Sequence, residues 1–430
     1  MGALVFMRQS YFFFSLVMLA SLSGCAHQVP TTDLGQEHWQ MFVDKDPKQW
    51  TRGADNWFFT GQPNSTELAN RNAPYTAAMS DMQVRVPDTI NSIRVNGDFQ
   101  VQIFGASEHA SAYLTGPNAG IQAVAVEVRG QTLYIHQTQP VAPGVMRNVI
   151  VRIGVLKLNN LTQMGNGRIE AIGIRSDDLC VASTADSCGN IYLAGRVNLR
   201  RVTQNGHGAI TILGATASTL DISTGGSGPV NISGQLGIRS ITHHGSSNIN
   251  LIGATSYRPV AISADGSGKI GIYGCANLKT IQAKDAIRVY AYPINSMDLT
   301  VTEQNVAGVG LAGLVQNLYV DTYNSSRFDG SNLCARSAYV RAHDSSHINV
   351  TANGKIFASA DRDGSIYFYG PANLLTDFPG SDDHVIAMGN RNWCNYNSEY
   401  RPYSYTLSHG KENLFYVYKA KRAVRGYKDE

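Results

Sequence analysis

The sequence predicts an all-β solenoid, a parallel β-helix of about 20 residues per coil. Three observations carry this. One phrase recurs along the chain, best preserved as Asp265-Gly-Ser-Gly-Lys-Ile-Gly-Ile-Tyr-Gly274. It reads as turn, strand, turn: Gly266 and Gly268 permit tight backbone, and Ile270 and Ile272 alternate like one face of a strand. The copies are evenly spaced. Their first apolar residues are Ile169, Ile191, Ile210, Val230, Ile249, Ile270, Ile287, Val309, Phe328, Ile348 and Ile366, and the ten spacings sum to 197. No copy carries an amphipathic helix, which argues against leucine-rich repeats, and propeller blades need about twice this period. Each unit exposes an apolar face that only stacking can bury. At about 4.8 Å per coil, eleven coils make a rod roughly 50 Å long.

Taken in order, residues 1–24 read as a signal peptide rather than fold. Arg8 precedes the apolar run Tyr11 to Ala20, too short to span a bilayer as a stable helix. Leu22-Ser-Gly-Cys25 then resembles the lipobox of bacterial lipoproteins. The resemblance implies cleavage before Cys25, acylation of that cysteine (palmitate-type chains) and stable anchoring by several chains. Ala26 follows, which by the rule of that family favours the outer membrane.

Residues 25–82 form a tether and N-terminal cap. They hold Pro30, Pro47, Pro63 and Pro74, and a Trp-rich part from Trp39 to Phe59 that packs on the open end of the rod or binds a ligand. Residues 83–378 form the head. It opens with alternating pieces: Ile93-Arg-Val95, Phe99 to Phe104, Val126-Glu-Val128 and Leu133-Tyr-Ile135, with Arg129-Gly-Gln131 as a turn. Residues 379–430 hold a Tyr-rich piece, a possible strand at Leu414 to Tyr418, and a basic tail from Lys419 to Lys428, read as a C-terminal cap.

Ile93-Arg-Val-Asn-Gly-Asp-Phe-Gln-Val-Gln-Ile103, Val128-Arg-Gly-Gln-Thr-Leu-Tyr-Ile135 and Gly364-Ser-Ile-Tyr-Phe-Tyr-Gly-Pro371 carry a family resemblance. Over roughly residues 83–375 the chain resembles the auto-transporter adhesin head GIN domain family. The resemblance implies a right-handed β-helical head on a secreted or lipid-anchored envelope protein. It supplies no catalytic residues to carry over.

Composition agrees with a solenoid. Only 16% of residues are charged and 42 are Gly, which suits corners rather than helices. The net charge of +3 falls to about +2 without Arg8, and gives no argument for nucleic acid. Of six cysteines, Cys25 goes to lipid. Cys180 and Cys188 lie close together in one coil and are the disulfide candidate for an oxidising periplasm. Cys275 and Cys334 fall about three coils apart, ~14 Å, beyond one disulfide. Cys275 therefore reads as a small buried apolar residue.

Catalytic chemistry finds little footing. Gly206-His-Gly208 resembles the His motif of polygalacturonases, and Asp177-Asp178 stand where paired acids would activate water. That family's upstream Asn-Thr-Asp and downstream Arg-Ile-Lys are absent. Asp361, Asp363, Asp382 and Asp383 are conceivable Ca²⁺ ligands of a lyase, but exposed turns commonly carry such acids. His243-His244 read as a solvated loop, and no zinc spacing, phosphate loop or dinucleotide fingerprint occurs.

The sequence thus points to a non-enzymatic, lipid-anchored outer-membrane protein, without cofactor or metal. Its β-helical head would bind a glycan or an envelope or host surface protein. The alternative is a polysaccharide lyase or glycoside hydrolase. The periplasmic or cell-surface face stays open.

Overall fold

The computed structural model describes residues 79–375, apart from 106, 143 and 257, together with 384–389 and the pairs 405–406 and 416–417. The first elements are β1 (Met79–Val84), β2 (Ser92–Asn96), β3 (Gln100–Phe104), β4 (Ser111–Pro117), the one-turn helix α1 (Asn118–Gln122), β5 (Val124–Arg129), β6 (Thr132–Gln137), β7 (Ile150–Gly154) and β8 (Asn160–Gln163). β4 runs antiparallel to both β1 and β7, and β5 and β6 form a hairpin about Gly130, which has φ of 60°. β2 and β3 already run parallel to the coils that follow.

From β9 onward the chain winds as a parallel β-solenoid of about 11 turns, roughly 20 residues each. The rungs are β9 (Ile169–Ser183), β10 (Ile191–Gln204), β11 (Ile210–Thr224), β12 (Val230–Gly245), β13 (Asn248–Ala254), β14 (Val260–Ala276), β15 (Leu278–Ala283), β16 (Ala286–Glu303), β17 (Gly308–Thr322), β18 (Arg327–Ala342) and β19 (His347–Ala360). The short β20 (Ser365–Tyr369), β21 (Asn373–Leu375) and β22 (Val385–Ala387) close it. In most rungs the strand is long, 15 residues in β9, 17 in β14 and 18 in β16. Each bends at a register shift and remains one hydrogen-bonded arc.

Like stacks on like. One inward column runs Val101, Ile169, Ile191, Ile210, Val230, Ile249, Ile270, Val289, Val309, Phe328, Ile348, Ile366, Val385, each paired with the next. A second runs Leu161, Val181, Val202, Ile222, Ile241, Ile262, Ile281, Val301, Val320, Val340. Both belong to one continuous core. The first column corrects one expectation: Val289, not Ile287, is the rung after Ile270. Ile287 pairs with Gly268. Ile287 and Val289 lie on the same side of the strand, because side chains alternate with period two, so apolarity alone could not separate them.

Corners are crowded against the coil before. At Gly234 φ is +146°, and a Cβ would lie 1.8 Å from the Ala215 carbonyl oxygen. Further along, one corner changes chemistry. Asp285, Asn305, Asn324 and Asp344 hold left-handed φ of 63°, 66°, 62° and 58°. Short amide and carboxyl side chains tolerate that region. Here they also bond to one another, Asn305 Nδ2 to Asp285 Oδ1 at 2.8 Å and Asn324 Nδ2 to Asn305 Oδ1 at 3.2 Å.

A third inward column mixes polar residues with alanine: Gln163, Ser183, Gln204, Thr224, His243, Ala264, Ala283, Glu303, Thr322, Ala342. All are buried. The column lines the inside of the corner and bonds its backbone carbonyls. Gln163 Nε2 donates to the Gly165 and Gly167 carbonyls, and Gln204 Nε2 to the Gly208 carbonyl. Thr224 Oγ1 lies 2.7 Å from His243 Nδ1, and Thr322 Oγ1 2.8 Å from Ser346 Oγ. His243 is therefore an interior residue at 0% exposure, which overturns its reading as a loop histidine. Only His244 is at the surface, 2.7 Å from Asp265.

The cysteines also depart from expectation. Cys180 and Cys188 are free thiols. Cys180 is half-buried on the outward side of β9, while Cys188 is exposed beyond the strand's end. Cys275 and Cys334 are each half of a disulfide, so Cys275 is not the free apolar side chain expected.

Glu303 is fully buried, and neither carboxyl oxygen has a hydrogen-bond partner. Burial raises its pKa well above the usual carboxyl value, and the nearby Arg327 and Val309 N–H groups and the Arg288 charge offset only part of that. The folded state therefore holds this proton more tightly than the unfolded chain. Stability is present in full below the ordinary carboxyl pKa and is lost as pH rises toward the folded-state value, by about 1.4 kcal/mol per pH unit. The Tm of Glu303→Gln is expected to decline less than that of the wild type between pH 5 and 9, as followed by circular dichroism. Parallel profiles would contradict a buried neutral carboxyl.

Candidate functional site

The last full rungs build an outer surface unlike the rest of the rod. Beyond the bends in β17, β18 and β19, side chains alternate in and out from Asn317, Ser337 and Lys355 onward, and Gln316 and Arg336, just before them, also face out. The outward positions line up in four columns across these coils: Gln316 with Arg336, Asn317 with Ser337 and Lys355, Tyr319 with Tyr339 and Phe357, and Asp321 with Arg341 and Ser359. The surface spans about 17 Å along the strands and 10 Å across them.

The aromatic column is its centre. Tyr319 and Tyr339 stack at 4.9 Å with planes 9° apart, and Tyr339 and Phe357 at 4.7 Å and 3°. The coil spacing imposes this distance, since rings on neighbouring rungs have nowhere else to go. Stacking hides the inner faces. Solvent meets the ring edges, the Tyr319 and Tyr339 hydroxyls, and the outer side of Tyr319, whose ladder neighbour is only Thr300. Tyr319 is 41% exposed and Tyr339 37%. Leu375 continues the column below Phe357 and bounds a groove of about 250 Å³ along the rings.

Polar groups flank the rings. Arg341 Nη2 bonds Asp321 Oδ2 at 2.7 Å, fixing one edge. On the other side Asn317 Nδ2 donates to Asp298 Oδ1 at 2.8 Å. Beyond it lies a second, more open groove of about 520 Å³, bordered by Asn295, Gln316, Arg336 and Asn353. The whole is an aromatic strip between amides and guanidinium groups, with charges of both signs, which suits a polar ligand carrying many hydroxyls.

The residues singled out from sequence fall elsewhere. Asp177 pairs with Lys157 and Asp178 with Arg200, both at 2.9 Å. His207 sits at a corner over Ser187 with Nδ1 2.7 Å from Ser227 Oγ, and Ser187 lies nine residues along the coil from Asp178, past the end of β9. The structure does not bring the acids and the histidine together. Asp361 is held by His343 at 2.7 Å, which keeps its carboxyl below the usual range. Among the described residues no group of three or more His, Cys, Asp or Glu is placed to hold a metal ion. Cys25, Asp382, Asp383, the Trp-rich segment and the basic tail lie outside the described residues.

The aromatic column escaped the sequence reading for a physical reason. Tyr319, Tyr339 and Phe357 stand 10, 11 and 9 residues after their anchors Val309, Phe328 and Ile348. Bulges absorb the difference. Counting from the anchors moves a residue to the opposite face with each one-residue slip.

These features define a β-solenoid head with a ligand-sized outer face. The chain belongs to the family described as "Putative auto-transporter adhesin, head GIN domain", whose profile matches residues 90–276 and 233–372. Among solved structures, a putative adhesin from Bacteroides fragilis is 12% identical, covers 74% of this chain and 97% of its own, and has a TM-score of 0.28. A putative adhesin from Parabacteroides distasonis is 14% identical, with coverage of 73% and 96% and a TM-score of 0.27. A putative lipid binding protein from the same organism is 13% identical, with coverage of 73% and 96% and a TM-score of 0.21. Overlays this loose fix no residue correspondence. No curated protein matches the chain.

Each stacked pair contributes about 0.5–1.5 kcal/mol beyond area burial, and Tyr339 belongs to two pairs. Tyr339→Ala is expected to cost about 2 kcal/mol in urea unfolding, with non-additive losses when combined with Tyr319→Ala. Additive losses would show that the rings are independent.

Proposed function

We propose that this chain is a non-enzymatic binding head on a lipid-anchored envelope protein, and that its ligand is a glycan held across the Tyr319–Tyr339–Phe357 face. The observation that carries the reading is the aromatic strip bordered by amides and by the Arg341–Asp321 pair. Ring edges and the open side of Tyr319 offer apolar contact to sugar C–H groups, while amide, guanidinium and phenol groups bond hydroxyls. A rigid ladder presents these groups without ordering cost on binding. The non-enzymatic reading draws support from the dispersed acids: Asp177 and Asp178 are each engaged by a cation, apart from His207.

Membership in an adhesin head family suggests the cell envelope. The lipobox-like Leu22 to Cys25 makes the outer membrane, through acylated Cys25, the proposed anchor. Among the described residues no helix is long and apolar enough to cross a membrane.

Glycan arrays followed by titration calorimetry test the ligand. Tyr319→Ala with Arg336→Ala is expected to weaken binding of the best glycan at least tenfold, about 1.4 kcal/mol, with the fold unchanged by circular dichroism. Unchanged affinity would place the site elsewhere. For the anchor, Cys25→Ser is expected to move the protein from the membrane fraction to the soluble one. Retention in membranes would remove the lipid-anchor reading.

A further inference from the structure

The aromatic face carries unmatched positive charge on one side. Elsewhere on the rod, surface cations are commonly met by an acid one rung away: Lys157 by Asp177, Arg200 by Asp178, Arg239 by Asp221, Arg341 by Asp321 and Arg362 by Asp344. Arg336 and Lys355 break this pattern. Among the described residues neither has an ion-pair or hydrogen-bond partner. Their ladder neighbours are uncharged. Gln316 lies beside Arg336, and Ser337 and Asn373 flank Lys355.

The fold also brings these two cations together. Ser337 pairs with Lys355, and Arg336 directly precedes Ser337, so the two Cα atoms are about 6 Å apart, one rung across and one residue along. A bulge makes this possible. Ala335 pairs with Ala352 and Ser337 with Lys355, so Arg336 alone faces both Asn353 and Gly354. Gly354 lies against it: a Cβ there would be 2.6 Å from the Arg336 carbonyl oxygen and 3.9 Å from Arg336 Cγ. Both cations are exposed. Each precedes the ring of its own rung, Tyr339 or Phe357, so they stand on the same side of the aromatic strip.

No acid on this face offsets them. Among the described residues the face holds two carboxylates. Asp321 stands beyond the rings and is engaged by Arg341. Asp298 accepts from Asn317 Nδ2 and lies two rungs before Ser337, about 10 Å away. At physiological salt that separation exceeds the screening length of ~8 Å.

We infer that the glycan held on this face is anionic, with a carboxylate or sulfate group seated between Arg336 and Lys355. This rests on the glycan reading above and narrows it. Guanidinium and ammonium groups donate hydrogen bonds and accept none. An ionised oxygen answers them better than a sugar hydroxyl does, since charge-assisted hydrogen bonds are about twice as strong as neutral ones. The planar Arg336 fork can take two oxygens of one acid group, while Lys355 adds a point charge beside it. The sugar that bears the acid then lies along the edges of Tyr339 and Phe357.

Titration calorimetry on the intact protein tests this, with oligosaccharides of alginate, polygalacturonate and chondroitin sulfate as probes. Each is compared with its carboxyl-reduced derivative, and the last also with its desulfated one, so that the carboxylate and sulfate sources are told apart. At least one acidic form is expected to bind about tenfold tighter than its neutralised derivative in low salt, with the difference shrinking as salt is raised. Arg336→Gln combined with Lys355→Gln is expected to cut that preference below about twofold with unchanged melting, whereas Arg336→Lys keeps part of it. Equal binding of acidic and neutralised forms, weakened by Tyr319→Ala, would sink the anionic group and leave the glycan face standing. An acidic preference that survives the double glutamine variant would put the anion elsewhere and overturn the inference. Binding of neither form would remove the glycan reading and this inference with it.

Discussion

The structure depends on in-register stacking of one coil on the next at about 4.8 Å. Backbone hydrogen bonds between rungs fix that spacing, and every other feature adapts to it. The two apolar inward columns must repeat an apolar side chain of similar size, because each rung's floor is the next rung's ceiling. Gly234 must lack a Cβ, because the Ala215 carbonyl occupies the space. Where glycine gives way to Asp285, Asn305 and Asn324, the side chains stack and bond along the same axis. Stability accumulates as a sum over neighbouring coils rather than around one centre.

The same spacing shapes the surface. A ring on one rung that meets a ring on the next is forced to stack, so Tyr319, Tyr339 and Phe357 form a rigid strip with their edges outward. The flanking amides and the Arg341–Asp321 pair inherit the same rigidity. A head built this way needs no catalytic constellation to recognise a ligand. It needs only a repeated outward position occupied by the right residue type on three consecutive coils.

The interior is less uniform than a hydrophobic rod. Gln163, Gln204, His243 and Glu303 lie in a single buried column. The two glutamines reach corner carbonyls two and four residues on, which explains long amides at those places. His243 keeps a depressed pKa chiefly through burial, as Glu303 keeps a raised one. In both cases burial disfavours the charged form.

How much of this was legible follows from what period and composition can carry. The twenty-residue repeat, the alternating strands and the glycine corners determined a solenoid, because only stacking buries one apolar face per unit. The anchor column could be read to within one alternation, failing only at Ile287, which shares its side of the strand with Val289. The aromatic face could not be read, since bulges move each outward residue by one place relative to its anchor. His243 could not be placed inside, because a corner histidine beside a glycine looks solvated until the chain's bend turns it inward. The sequence by itself thus determined the period and the fold. Tertiary structure alone decided which polar residues face in and which rings meet outside, because that depends on register between residues some twenty positions apart, and local pattern does not specify it.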